Sequence, residues 1–274
     1  MARSQAAQSQ TRAAGTQRSR AGSGSQEATY IYGIVPGDVL LSAEIEGVGD
    51  PPGQVGLVRS DGLAALVSHV NPDRPLGSPQ DLTAHKEVLD ATAAAAPVLP
   101  VRFGAVVGSD DAVIQELLGP YGDEFTAVLS ELEGRVQFVV KGRYVERAIL
   151  DEVLSENPQA QRLRQQIQGQ DADATRELRL QLGELINDAV EQKRQRDTRA
   201  LGDAMADNCV ASAVRGPTHE RDAAHVAFLV DESQELRMDR ATADLARQWQ
   251  GRVELRVLGP MAAYDFVAAP APED

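Results

Sequence analysis

Between His85 and Val107 the chain reads HKEVLDATAAAAPVLPVRFGAVV, an alanine-rich helical pattern running straight into a short apolar segment entered through Pro97 and Pro100. Proline donates no backbone N–H, so two prolines this close tolerate only a sheet edge or a strand entrance. The pattern predicts a helix followed by an edge strand over residues 98–107. Arg102 stands inside that apolar run, between Val101 and Phe103. A buried arginine demands a carboxylate or several carbonyls. Glu87 and Asp90 on the preceding helix are the candidates, and the reading takes Arg102–Glu87 as a structural ion pair.

A chain of 274 residues can bury a substantial core, more naturally in two modest domains than in one large one. Aromatic residues are only 4% of it, so that core must be built from Val, Leu, Ile and Ala. No window approaches about 18 consecutive apolar residues, so no membrane span is expected. The lone Cys209 excludes an intramolecular disulfide and fits a reducing cytoplasm. The net charge of -14 is uneven: Arg3, Arg12, Arg18 and Arg20 against Glu27 make the first 27 residues basic, and the remainder is more acidic still. So acidic a body repels phosphate backbones, which argues against nucleic-acid or anionic-membrane binding.

Residues 1–27 are Ala, Ser, Gln, Gly and Arg with almost nothing to bury and are read as a disordered tail, with 268–274 as a second. Residues 29–35 form a first strand. Residues 55–58 and 63–67 flank Asp61-Gly62, a hairpin signal. Ser78 or Asp81 opens a helix with Leu82, His85, Val88 and Leu89 on one side. Ser109, Asp110 and Asp111 cap a short helix to Leu118, and residues 121–132 form another. Gly134 marks a domain junction, dividing an N-terminal α+β domain (28–133) from a second (134–267).

The second half opens with a strand at 136–141 and a helix at 144–154. A very long helix then starts at Asp173 or Thr175 and reaches about Val214. Its apolar residues gather at the two ends, the second holding Leu201, Met205 and Cys209. Residues 191–199, EQKRQRDTR, are polar on every face. Such a stretch must project into solvent, bend back, or lie against a polar partner. A strand at 224–230, a helix at 236–250 and a strand at 253–258 close the chain. The fold class is α+β: a small mixed sheet with helices, then a ferredoxin-like sheet with a long helical insertion at about 144–216.

Four scattered histidines and one cysteine give no metal-ligand spacing, and no nucleophile elbow or phosphate-binding loop follows a strand. No catalytic residue, metal or cofactor is assigned.

Several segments together resemble the gas vesicle protein F/L family. They are Tyr30-Ile31-Tyr32-Gly33-Ile34-Val35, Gly62-Leu63-Ala64-Ala65-Leu66-Val67-Ser68, His85-Lys86-Glu87-Val88-Leu89 with Pro97-Val98-Leu99-Pro100-Val101-Arg102-Phe103-Gly104, Phe228-Leu229-Val230, and Gly259-Pro260 through Val267. One departure stands out: Met261-Ala262-Ala263 occupies the place of a Trp-Pro-Pro run in that family.

The resemblance implies a two-domain α+β protein without enzymatic activity, cytoplasmic and associated with the gas vesicle. Such a protein is a minor structural component or assembly factor that contacts the small hydrophobic main shell protein and other accessory proteins. Two routes to a partner follow from the sequence. Strand edges near Pro97, Leu99, Val101 and Phe103, or at 253–258, could pair with a partner strand. The apolar ends of the long helix, with Leu201 and Met205, offer a second surface. The alternative is a small-molecule-sensing ferredoxin-like regulatory protein, by analogy of fold alone.

Overall fold

The computed structural model describes residues 27–41 and 45–267, so the two expected tails lie almost wholly outside the described residues. Strand β1 (Ala28–Pro36) is the centre of the first half and is buried on both faces. That explains why its apolar residues run together instead of alternating. Strands β2 (Glu46–Gly49) and β3 (Pro52–Gln54) form a small separate hairpin. Strands β4 (Gly56–Ser60) and β5 (Leu63–Val70) form the hairpin read from Asp61-Gly62; both turn residues have positive φ, 47° and 83°.

Helix α1 (Pro79–Ala93) starts on a reciprocal cap: Asp81 N donates to Ser78 Oγ, and the Asp81 carboxylate accepts from the Ser78 backbone N–H. Burial works against ionisation of Asp81, but hydrogen bonds from Arg74, Ser78 and Gly77 outweigh it and hold the carboxyl at about 2. Val88 and Leu89 point into the core as expected, whereas Leu82 is 51% exposed.

The expected continuous strand over 98–107 is two short pieces, β6 (Leu99–Pro100) and β7 (Val106–Val107), both paired with β1. Val101 N donates to Tyr32 O and Ile31 N to Ala105 O, so the residues between them loop away from the sheet, with Gly104 at φ 93°. Two prolines and a left-handed glycine make continuous pairing impossible here. The sheet order is β4-β5-β1-β6, with β7 also on β1. Gly33 lies where α1 and β6 close on β1: a Cβ there would stand 2.8 Å from both Leu89 Cδ2 and Leu99 O. Beneath the opposite face sit α2 (Asp110–Ala112), a widened helical turn through Leu118, and α3 (Gly122–Leu132), which contributes Phe125 and Leu129.

The second half runs β8 (Arg135–Tyr144), α4 (Glu146–Glu156), α5 (Pro158–Ile167), α6 (Arg176–Met205), β9 (Ala211–Val214), β10 (Asp222–Asp231), α7 (Glu235–Gln248) and β11 (Val253–Met261). Its antiparallel sheet has the order β11-β8-β10-β9. Numbered along the half-chain, that is 4-1-3-2, with helices in the first and last crossovers, as a ferredoxin-like sheet requires. Helices α6 and α7 cover one face, burying Leu201, Met205 and Met238 against Phe138, Val226 and Phe228.

The long helix ends at Met205, well short of Val214. Cys209 continues the i, i+4 spacing of Leu201 and Met205 and makes the pattern look helical. The alternation that follows belongs instead to β9, which pairs with β10.

After β11 the chain returns to the first half. Ala262 packs with Tyr30 and Leu89 in the first core, and Ala262 N donates to Asp90 Oδ1 at 3.2 Å. Ala263 joins Leu132 and Leu229 where the halves meet. The Met-Ala-Ala departure is thus a small-residue clasp between the sheets. No helix of the described residues is long and apolar enough to cross a membrane.

Candidate partner-binding site

Three of the segments that carry the family resemblance, residues 30–35, 62–68 and 85–104, converge on one buried cluster under the first sheet. His85 reaches from α1 toward β1. Its Nδ1 lies 2.8 Å from the Tyr30 hydroxyl oxygen, within hydrogen-bond distance. Tyr30 O also accepts from Gly104 N at 3.2 Å. Tyr32 bonds Ser68 Oγ at 2.7 Å and accepts from Val48 N at 2.6 Å. The Phe103 ring meets His85 edge-on, with centroids 5.5 Å apart. Burial lowers the His85 pKa, against the opposing pull of the Val101 carbonyl. Burial raises both tyrosines, against their hydrogen-bond donors. The cluster is neutral and holds residues 98–104 to the sheet.

This geometry decides what those residues can offer a partner. Leu99 is 3% exposed and belongs to the core, so it is closed to a partner, contrary to expectation. Val101 and Phe103 are half-buried, and the Val101 N–H is already spent on Tyr32 O. Pro97 borders a cavity of about 510 Å³ shared with Leu40, Leu63 and Leu129. Arg102 does not form the expected ion pair. It sits exposed at the outward bend, and no described carboxylate, Glu87 included, pairs with it. A loop that leaves the sheet carries its charge into water, where no counter-ion is required.

The long helix also differs from what its sequence suggests. Leu201 and Met205 are fully buried and unavailable to a partner. The polar stretch before them is also inside. Lys193 and Asp197 are 3% and 8% exposed, and with Leu201 and Met205 they form one stripe at i, i+4 spacing. Lys193 Nζ lies 2.6 Å from Glu152 Oε1 and 2.6 Å from Glu156 Oε2. Asp197 accepts from Tyr144 O–H at 2.6 Å and from both terminal nitrogens of Arg252. Arg252 Nε reaches Glu152 Oε2 at 2.7 Å, with the guanidinium over the Tyr144 ring. Partial burial resists ionisation of Glu152, but Arg252 and Lys193 overcome it and lower its pKa. Of the alternatives open to this stretch, it lies against a polar partner, and that partner is the chain itself.

Two accessible surfaces bear on the expected routes to a partner. The first is a groove between α4 and α6, about 620 Å³, lined by Leu150, Leu154, Leu182 and Ile186 and rimmed by Glu146, Arg147, Asp151 and Arg164. Only this first apolar end of α6 is open. The second is the outer side of β11, which pairs with β8 alone. Val145 N donates to Arg252 O at 2.9 Å, which sets the phase of the ladder between β8 and β11. Alternation along the register then turns the backbone groups of Leu255 and Val257 outward. Val257 and Leu258 are each 37% exposed. The sequence placed this edge correctly but gave no sign of Leu150 and Leu154 in the groove beyond their i, i+4 spacing. Among the described residues no group of three His, Cys, Asp or Glu side chains could hold a metal ion.

The family model described as gas vesicle synthesis protein GvpL/GvpF matches residues 28–268. Gas vesicle protein F of a Streptomyces species is 34% identical over 245 residues, covering 88% of this chain and 99% of that protein. The corresponding protein of Microcystis aeruginosa is 23% identical over 239 residues, covering 86% and 96%. The crystal structure of GvpF from Anabaena superposes with a TM-score of 0.74 at 23% identity, over 89% of this chain and all of that one. That of GvpF from Microcystis aeruginosa gives 0.70 at 22% identity, over 87% and 98%.

Proposed function

Because the chain belongs to the GvpL/GvpF family of gas vesicle synthesis proteins, we propose that its accessory role is to bind the hydrophobic main shell protein, and other accessory proteins, during vesicle nucleation and growth. It does so without catalysis, in the cytoplasm and in association with the vesicle. The observation that carries this reading is the open edge of β11, with outward backbone groups at Leu255 and Val257 beside exposed Val257 and Leu258. An unpaired edge with apolar side chains accepts a partner strand through main-chain hydrogen bonds. A shell subunit that pairs there is kept from pairing with its own kind. The net charge of -14 keeps the complex in solution.

In this reading residues 28–133 and 134–267 act as two domains. The first holds the 98–104 loop in place, and the second presents the edge. Co-purification of the full chain with the main shell protein tests it. Val257→Pro removes a backbone donor that β8 does not use, and Val257→Lys places a charge on the edge. Both variants should melt as the wild type does and lose capture of the shell protein. Capture undiminished in both would overturn the reading.

A further inference from the structure

The opposite edge of the same sheet carries a different signal. Strand β9 lies outermost beyond β10, and the residues from 210 to 214 read Val-Ala-Ser-Ala-Val, a palindrome centred on Ser212. Val210 is 46% exposed and Val214 72% exposed. Edge strands are ordinarily guarded by lysine, proline or a bulge. From Ala211 to Val214 this one has no lysine or proline and pairs with β10 without a register shift, and the nearest charge, Arg215, is turned aside to Asp265 Oδ1 at 3.2 Å.

The hydrogen-bond phase agrees with the palindrome. Arg215 N donates to His225 O, directly opposite in the register, so residues 215, 213 and 211 bond inward to β10. The backbone N–H and C=O groups of Ser212 and Val214 therefore point outward. Val210 N is occupied by Leu229 O at 2.7 Å. A two-fold axis through Ser212 sets Ser212 against Ser212 of a second copy, and Val214 against the second copy's Val210. In that register the outward groups at the axis form a hydrogen-bonded pair, each Ser212 N–H meeting the other Ser212 carbonyl. A register shifted by one residue would face inward-bonded residues and lose these bonds.

We propose that β9 is a self-association edge, through which two copies of this chain join their sheets about a two-fold axis centred on Ser212. An isologous contact requires one patch to be complementary to itself, and a palindromic edge satisfies that with paired valines outside and serines at the axis. The joined sheet would have eight strands and leave a β11 edge free at each end. The inference stands independently of what β11 binds.

Sedimentation equilibrium of the full chain tests the proposal, alongside Val214→Lys and a Cys209→Ser, Ser212→Cys variant. The wild type should show the mass of two chains and Val214→Lys the mass of one, with unchanged melting. Oxidised Ser212→Cys should give a covalent two-chain species, because opposed residues of a hydrogen-bonded pair have Cα atoms about 5.5 Å apart, within disulfide reach. Should Val214→Lys fail to fold, the cross-link alone decides. A wild type with the mass of one chain, or two-chain mass without the Ser212→Cys cross-link, overturns the proposal.

Discussion

Each half of this molecule buries a polar cluster beneath its sheet, and the two clusters use different chemistry. Under the first sheet, Tyr30, Tyr32, His85 and Ser68 satisfy one another as neutral groups. Beside the second, Lys193, Glu152, Asp197 and Arg252 do so as ions around Tyr144. The neutral cluster fixes a loop of a few residues to a sheet. The charged one fixes a 30-residue helix, a rod of about 45 Å at 1.5 Å per residue, which needs several contacts along its length. Neutral groups cost little to desolvate but fix only near neighbours. Buried ions cost much more and tolerate no missing partner.

That contrast can be broken by mutation. Asp197→Ala should have the largest effect, about 3–5 kcal/mol of unfolding free energy, because it leaves Arg252 short of a counter-ion in a partly dry site. Chemical denaturation measures this; a loss below about 1 kcal/mol would place the network among weak surface pairs. Tyr30→Phe should cost less, about 1–3 kcal/mol, by stranding His85 Nδ1 and Gly104 N without introducing a charge.

Acid should separate the clusters by pH. Burial lowers the His85 pKa in the folded chain, so its contribution is present above the unfolded value of about 6.5 and is lost as pH falls toward the folded one. Glu152 is also lowered, but from a carboxylate value, so its contribution persists until pH falls below about 4.5. The melting temperature should therefore begin to drop below about pH 6.5, and His85→Gln should flatten that first limb while leaving the one below about pH 4.5. His225 is lowered too, mainly by burial, so a first limb unchanged in His85→Gln would assign it elsewhere. The smallest effect belongs to Arg102→Ala, within about 0.5 kcal/mol, since its side chain faces water. A loss above about 1 kcal/mol would revive the buried ion pair.

Much of this architecture was readable from residue order. The Asp61-Gly62 turn, the Ser78 cap and strands β1, β8, β10 and β11 follow from turn chemistry, capping and apolar runs, which are local. What could not be read was non-local. Arg102 looked buried because its neighbours are apolar, yet only the hydrogen bonds of Val101 and Ala105 to β1 show that the chain loops outward between them. The stripe of α6 was hidden because Lys193 and Asp197 occupy core positions, and their partners lie in α4 and just before β11. Strand β9 reads as part of the helix because Cys209 extends the helical spacing by one more step. Leu201 and Met205 read as a docking surface for the same reason: helical periodicity marks a buried face without saying what buries it.

The central claim is that a shell subunit docks on the outer edge of β11. Hydrogen exchange of the full chain, with and without the main shell protein, tests it most directly. The account predicts that the Leu255 and Val257 amides, which β8 leaves unbonded, become protected on mixing, with little change in the α4–α6 groove. Protection that arises in the groove while both of those amides stay unprotected would contradict it.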